Sequence, residues 1–179
     1  MIFKYFVISV LLFCGMVSAD PLDDFIDSYY EQRKAAAWVE EVTKGQVLKN
    51  DASKIVKEAY AQALSRKISP TLVLAVIKTE STFKVNAKSN HNARGLMQVI
   101  PYWHKDKIAG RNINSVSVSI EVGTWILQDC LSKHKGNVYK GLSCYSGGGG
   151  KPYYAKVMKH QYALAQSLKP NGQLVAMAY

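Results

Sequence analysis

The chain is poor in acidic residues, cysteines and long apolar runs, and each shortage excludes a class of protein. Its 13 Asp and Glu residues are outnumbered by 23 Lys and Arg residues, and the net charge of +10 favours an anionic partner. No arginine-rich run, zinc-finger spacing or aromatic RNA-binding signature accompanies that charge, so nucleic acid is not the expected partner. The apolar run at residues 5–13 is too short to predict a membrane-spanning helix.

Only three cysteines are present, and no Cys-x-x-Cys pair occurs, so we predict neither a metal site nor a cofactor. Cys14 lies in the N-terminal segment, which leaves Cys130 and Cys144. In an oxidising compartment these two would form a disulfide that closes a loop of 15 residues, counting both ends, and contributes about 3 kcal/mol. Two separate buried thiols are the alternative, because the sequence does not reveal the Cα separation.

The N-terminus has the anatomy of a secretory signal. Lys4 supplies a positive charge before the apolar run, and small residues precede a cleavage site after Ala19. We therefore expect residues 1–19 to be a signal peptide and the mature protein to be exported to the periplasm. Lipidation at Cys14 is disfavoured because Phe13 stands where a lipoprotein signal has a small residue. The alternative to cleavage is that residues 1–19 are retained as an anchor.

Beyond the signal we predict a helical leader at residues 20–50, a main domain at residues 51–168 and a loosely held tail at residues 169–179. The leader is expected to pack on the domain as an extra helix, with contact to a partner protein as the alternative. Apolar residues recur at helical spacing and no alternating strand pattern occurs, so the fold is mainly α. The predicted helices cover residues 51–67, 70–80, 119–134, 137–145 and 153–167, with Asp51, Ser69 and Asn137 at their starts.

Glu80 ends the most apolar of these helices. It follows Val73 by seven residues and Ile77 by three, so it shares their face. Burial and the negative end of the helix dipole both raise the pKa of such a carboxyl group. A carboxylic acid that is neutral near pH 7 can protonate a glycosidic oxygen. The alternative is a structural acid bonded to nearby backbone or to a cation.

A longer motif surrounds Glu80. It reads Glu80-Ser81-x-Phe83-x-x-x-Ala87-x-Ser89 and continues as Gly95-Leu96-Met97-Gln98-x-x-Pro101. This string resembles the catalytic core of the soluble lytic transglycosylases, which share the goose-type lysozyme fold, and the resemblance covers roughly residues 51–165. It implies a lysozyme-like helical domain with a substrate cleft. It also implies cleavage of peptidoglycan between N-acetylmuramic acid and N-acetylglucosamine to leave a 1,6-anhydro end, with no water and no protein nucleophile.

The resemblance implies that Glu80 is the single catalytic residue, first as general acid and then as general base. It also implies a set of substrate-binding residues: Ser81, Ser89, Met97, Gln98 and Tyr145. Ser89 and Gln98 match positions that contact the sugar and its N-acetyl groups. Met97 matches a cleft-lining position, with a core role as the alternative, and Tyr145 matches a tyrosine whose hydroxyl points at the acid. Ser81 would hold the local turn or the carboxyl group.

Two serines depart from the family pattern. Ser119 and Ser146 stand where the family has asparagine, which puts the geometry of the subsites in question. Around the expected cleft, Trp103 is predicted to be a packing residue, with stacking on a sugar ring as the alternative. His91 and His104 are expected to be exposed.

The sequence is compatible with three hypotheses about function. The first is a lytic transglycosylase that acts on glycan strands, either in general wall turnover or for a secretion, pilus, conjugation or phage machine. The second is a lysozyme-like muramidase, which requires a second carboxylate. The candidates for that carboxylate are Asp106, Glu121 and Asp129, of which the last two are expected on a solvated helix face. The third is a wall-docking component without catalysis. The residues do not distinguish exo- from endo-cleavage.

Overall fold

The computed structural model describes residues 21–169, except the side chains of Pro21 and Asp23. The predicted signal peptide and the tail beyond residue 169 lie outside the described residues. The described chain forms one short 3₁₀ helix, Pro101–His104, and seven α-helices: α1 Pro21–Val42, α2 Lys49–Ser65, α3 Pro70–Ser81, α4 Lys105–Ile108, α5 Val116–Lys133, α6 Val138–Tyr145 and α7 Gly150–Leu168. Within residues 21–169 no strand is present, and the mainly α prediction is confirmed. None of the described helices is long and apolar enough to span a membrane.

Helix α3 is the centre of the fold. Its apolar run is fully or almost fully buried, and it packs against both α2 and α7. Pro70 begins the helix without losing a hydrogen bond, because the first N–H groups of a helix have no partner inside it. Ser69 is at the N-cap position as predicted, but its hydroxyl pairs with Thr71 Oγ1 at 2.8 Å and does not cap the helix.

The chain turns sharply just after Glu80. Thr82 and Phe83 both adopt left-handed backbone conformations, with φ of 52° and 63°. Phe83 is fully buried and meets Trp38 of α1 edge to face, with the ring centroids 5.9 Å apart. This buried contact holds an otherwise unfavourable turn, and the turn fixes the end of α3 that carries the acid.

The leader forms a continuous helix, α1, whose C-terminal half belongs to the main hydrophobic core. Ala35, Trp38 and Val39 are buried in the same cluster as the apolar residues of α3, and α1 packs on α2 and α7. The helix ends where the Thr43 hydroxyl donates to the carbonyl of Val39 at 2.7 Å. The first turns of α1 are exposed.

Several helix ends differ from prediction. Helix α2 begins at Lys49, so Asp51 lies inside its first turn and is not the N-cap. The negative charge of Asp51 in this turn still interacts favourably with the positive end of the helix dipole. Helix α5 begins three residues earlier than predicted, because Ser115 caps it by accepting a hydrogen bond from Val118 N. Asn137 caps α6 in the predicted position, accepting from Lys140 N at 3.0 Å.

Candidate active site

A cleft of about 760 Å³ opens at the C-terminal end of α3. The segment from Ser89 to His104 forms one wall, and helices α5, α6 and α7 form the others. The residues of its lining that matter below are Glu80, Ser89, Gln98, Trp103, Asp129, Cys130, Cys144, Tyr145 and Tyr153. The cleft therefore brings together residues that lie far apart in the sequence.

Glu80 is a partly buried carboxyl group with one close partner. The hydroxyl of Tyr153, on α7, donates a hydrogen bond of 2.5 Å to Glu80 Oε1. Burial raises the pKa of Glu80 above its usual value, while the Tyr153 hydrogen bond and the positive charge of Lys156 act in the opposite direction. The net upward direction is the one that the apolar face of α3 predicts, and it favours the neutral acid.

The segment at residues 95–98 is not helical, although its apolar residues before Pro101 favour a short helical turn. It is a tight turn closed by two backbone hydrogen bonds between Arg94 and Val99, of 2.9 and 3.0 Å. Gly95 and Gln98 have positive φ, of 76° and 48°, which no right-handed helix allows. A side chain at Gly95 would also collide, because its Cβ would lie 2.5 Å from Ser119 Oγ.

Ser89 and Gln98 both line the cleft and both fasten its loop. Ser89 Oγ accepts hydrogen bonds from the backbone N–H groups of His91 and Ala93, at 3.2 and 3.1 Å. Gln98 Nε2 donates to the carbonyls of Ala87 and Gly95, at 3.2 and 3.1 Å. The bond from Gln98 to Ala87 ties the loop after α3 to the 95–98 turn, and the other three bonds hold the loop and the turn internally. This wall of the cleft is therefore held by its own side chains.

Met97 and Ser81 do not lie in the cleft lining, so the structure does not support substrate-binding roles for them. It matches the alternatives instead, a core role for Met97 and a hold on the local turn for Ser81. Met97 is buried against α5, where a Cβ at Gly123 would stand 2.4 Å from Met97 Cβ. Thr124 Oγ1 also donates to Met97 Sδ at 3.6 Å, so the side chain belongs to the core. Ser81 is buried too, and its hydroxyl donates to the carbonyl of Ile77 at 3.2 Å, which holds the last turn of α3.

The backbone of Met97 is held at both of its polar atoms. Its N–H donates to Ser119 Oγ at 3.3 Å, and its carbonyl accepts a hydrogen bond of 2.7 Å from the Tyr145 hydroxyl. Tyr145 therefore bonds the 95–98 turn and not the acid, which corrects the role that the resemblance implied for it. Burial first, and the charge of Glu80 second, raise the pKa of Tyr145, so its hydroxyl stays protonated and donates.

The tyrosine bonded to the acid is Tyr153, which the sequence analysis missed. Tyr153 lies at the start of α7, four residues before the buried Val157, and so shares the face of α7 that packs on the core. That spacing is a signal by which it could have been found. Burial, followed by the nearby charge of Glu80, raises the pKa of Tyr153, so it too remains a donor.

The two serines that replace asparagine make definite contacts. Ser119 is fully buried and holds Met97 N, as described above. Ser146, at the cleft rim, accepts from Gly149 N at 3.0 Å and donates to the carbonyl of Ser143 at 3.2 Å. Both hydroxyls therefore order backbone around the cleft.

Trp103 is exposed, and the packing role predicted for it is wrong. It lies on the 3₁₀ helix, lines the cleft and leaves 70% of its surface accessible. Tyr102 supports it edge to face, with ring centroids 4.7 Å apart.

Of the two histidines near the cleft, His91 is exposed as predicted, but His104 is only partly exposed. Burial lowers the pKa of His104, and the charge of Asp106 partly offsets this.

Of the three candidate second carboxylates, only Asp129 lines the cleft. Asp106 has a 70% exposed side chain, lies 3.5 Å from Lys107 and does not line the cleft. Glu121 forms a 2.7 Å ion pair with Arg111 outside the cleft lining, and the Arg111 hydrogen bond lowers the pKa of Glu121. Asp129, expected on a solvated face, lines the cleft beside Lys133, with its carboxylate 2.6 Å from the Lys133 amine.

Cys130 and Cys144 form a disulfide, with their Cα atoms 5.7 Å apart. The bond joins α5 to the last turn of α6, and both residues line the cleft. Of the two readings of the sequence, the structure therefore contains the disulfide and not the separate thiols.

Comparison with known proteins agrees with this geometry. A sequence model of the transglycosylase SLT domain family matches residues 58–168, and the chain belongs to that family. Among solved structures, the chain is similar to the lytic transglycosylase Slt from Pseudomonas aeruginosa, solved as an inactive mutant. The two share 16% identity and a TM-score of 0.50 over 72% of this chain, which shows the fold alone. The match spans only 26% of that chain. The predicted family and its lysozyme-like helical fold are confirmed.

Proposed function

We propose that this protein is an exported peptidoglycan lytic transglycosylase that cleaves the β-1,4 bond between N-acetylmuramic acid and N-acetylglucosamine. The observation that carries the proposal is Glu80, a carboxyl group with a raised pKa, located in a cleft and bonded by Tyr153. Membership of the SLT family supports the same activity. The strands of the wall polymer carry carboxylates, which suits the basic surface of the chain.

In the first step Glu80 protonates the glycosidic oxygen, and the 2-acetamido carbonyl of the muramic acid stabilises the positive charge that develops at C1. In the second step the Glu80 carboxylate takes the proton of the C6 hydroxyl as that oxygen attacks C1. Burial favours the acid form needed first. The Tyr153 hydrogen bond and the Lys156 charge favour the carboxylate needed second, so the site serves both halves of the reaction.

A muramidase is the second candidate, and the position of Asp129 is the observation in its favour. A hydrolase would use a second carboxylate to bind a water or to attack the sugar, and Asp129 lines the same cleft as Glu80. Its close pairing with Lys133 favours a structural role over a nucleophilic one.

The test is mass spectrometry of the fragments that residues 20–179 release from purified sacculi in oxygen-18 water. A lytic transglycosylase gives 1,6-anhydro ends without the label, and a muramidase gives reducing ends that carry it. Glu80→Gln is expected to abolish release while sacculus binding persists. Glu121→Gln is the matched control, because Glu121 pairs with Arg111 outside the cleft lining, and its product yield should be unchanged. Sacculus binding without any release by the wild-type protein would favour the docking reading.

Export to the periplasm belongs to the same proposal. It is supported by the signal-like residues 1–19 and by a disulfide, which persists in oxidising compartments. A role in opening the wall for a secretion, pilus, conjugation or phage machine is a narrower form of it. N-terminal sequencing of the protein from a periplasmic fraction should begin at Asp20, and retention of residues 1–19 would contradict cleavage.

A further inference from the structure

The disulfide closes a ring of contacts around the 95–98 turn. Helix α5 carries both Ser119, which holds the Met97 N–H, and Cys130. Helix α6 carries Cys144 and, next to it, Tyr145, which holds the Met97 carbonyl. Ser119 and Tyr145, which both bond the backbone of Met97, therefore lie on two helices that the disulfide joins covalently.

The disulfide lies at the C-terminal end of α6, just before a run of glycines. After Tyr145 the chain enters the run at residues 147–150, in which Gly147, Gly148 and Gly150 have positive φ and a Cβ would meet no other atom within 4 Å. The N–H groups of Gly147, Gly148 and Gly149 bond to Cys144 O, Ser143 O and Ser146 Oγ. These hydrogen bonds cap α6 itself and do not fasten its end to another helix. The covalent bond at Cys144, the residue before Tyr145, joins this end of α6 to α5.

The rest of α6 is anchored without the disulfide. Leu142 is fully buried in the main core, and Gly141 packs so closely on α5 that a Cβ there would lie 2.6 Å from Leu131 Cδ2. We therefore expect the helix to stay docked when the disulfide is opened, while the orientation of Tyr145 at its C-terminal end relaxes.

We propose that the Cys130–Cys144 disulfide is a positioning element of the active site, which holds Tyr145 on the Met97 carbonyl so that the catalytic rate falls when the bond is reduced. This inference rests on the proposed function. A small dithiol would reach the bond from the cleft that both cysteines line. It breaks the S–S bond, transfers two electrons and two protons to the sulfurs, and becomes a cyclic disulfide itself. The enzyme would thus be fully active only after export to an oxidising compartment.

The first test compares the oxidised protein with the dithiothreitol-reduced protein and with a Cys130→Ala/Cys144→Ala variant. We expect kcat on sacculi to fall about tenfold in both, with KM within about threefold and far-UV circular dichroism unchanged. Dithiothreitol added to the double variant should have no effect. If the double variant does not fold, reduced wild-type protein below its unfolding temperature carries the test. An unchanged kcat in folded, reduced protein would overturn the proposal.

The second test asks whether the disulfide acts through Tyr145. In a Tyr145→Phe background, reduction should lower kcat by less than about twofold, because the bond that the disulfide protects is already lost. A disulfide that only stabilises the fold would lower kcat equally in both backgrounds, and that result would overturn the proposal.

A third measurement does not depend on activity. Hydrogen exchange at the amides of Met97, Gln98 and Val99 should become about tenfold faster on reduction, because these N–H groups are bonded within the 95–98 turn or to Ser119. Unchanged exchange would overturn the positioning role. Absence of any lytic product from the oxidised protein would instead contradict the proposed function, so the two failures are distinguishable.

Discussion

The hydroxyl of Tyr153 donates a 2.5 Å hydrogen bond to Glu80 Oε1 across the contact between α3 and α7. The two residues are 73 positions apart in the sequence. Because the bond favours the carboxylate while burial favours the acid, the packing of these two helices sets the proton affinity of the group on which the proposed chemistry depends.

Tyr153→Phe should move the alkaline limb of the kcat/KM profile to higher pH. The reaction needs protonated Glu80, so the rate falls as pH rises through the pKa of Glu80. Loss of the hydrogen bond raises that pKa further, because burial is then opposed only by Lys156. We expect kcat at the optimum to fall about tenfold, since the carboxylate of the second step loses its donor. Tyr154→Phe is the control and should leave the profile in place, and a limb that moves to lower pH would contradict the assignment.

Gly95→Ala should cost about 3 kcal/mol of unfolding free energy. Its φ is +76°, and an added Cβ would lie 2.5 Å from Ser119 Oγ and 2.7 Å from the carbonyl oxygen of Ile113. Gly110→Ala is a matched control, because Gly110 has a φ of +73° with no atom near the added Cβ, and should cost about 1 kcal/mol. Urea unfolding measures both. Equal costs would show that the close approach at Ser119 is not restrictive.

Trp103→Ala should raise KM about three- to tenfold and change kcat little, because the exposed indole offers a stacking surface at the cleft that contributes about 0.5–1.5 kcal/mol. Unfolding free energy should change by less than about 0.5 kcal/mol, since the ring is 70% exposed. Tyr162→Ala removes an aromatic ring that is 68% exposed and lies outside the cleft lining, and it should leave KM unchanged. A loss of stability without a rise in KM would restore the packing role of Trp103.

Asp129→Asn separates the two candidate reactions. In a lytic transglycosylase with one catalytic acid, kcat should stay within about threefold, because the exposed pair with Lys133 contributes only about 0.3–0.5 kcal/mol. In a muramidase that uses Asp129, kcat should fall by at least about a hundredfold. Asp106→Asn should leave kcat unchanged whichever reaction the protein catalyses, since Asp106 does not line the cleft. Steady-state rates on sacculi distinguish the outcomes.

Much of the site could be predicted from local sequence. The apolar residues before Glu80 determine that its helix is buried and that its carboxyl group lies on an apolar face, and both depend only on spacing along one helix. The resemblance to the transglycosylase family implies that Ser89 and Gln98 lie in the cleft, and both are in its lining.

The errors concern contacts between distant segments. Both Tyr145 and Tyr153 fit the apolar patterns of their helices. The direction of each hydroxyl depends on how α6 packs on α5 and α7, and on how α7 packs on α3. Likewise, the side chain of Met97 enters the core because Gly123 of α5 has no side chain there. Gly123 lies outside the 95–98 motif, so the motif alone does not predict this position of Met97.

By itself, then, the sequence determined the helices, the family motif and the acid, because periodicity and burial act over a few residues. Only the tertiary structure decided which tyrosine meets Glu80, which aspartate enters the cleft and that Cys130 and Cys144 are joined. The physical reason is that hydrogen bonds and disulfides depend on distances of a few ångströms, and helix packing sets those distances.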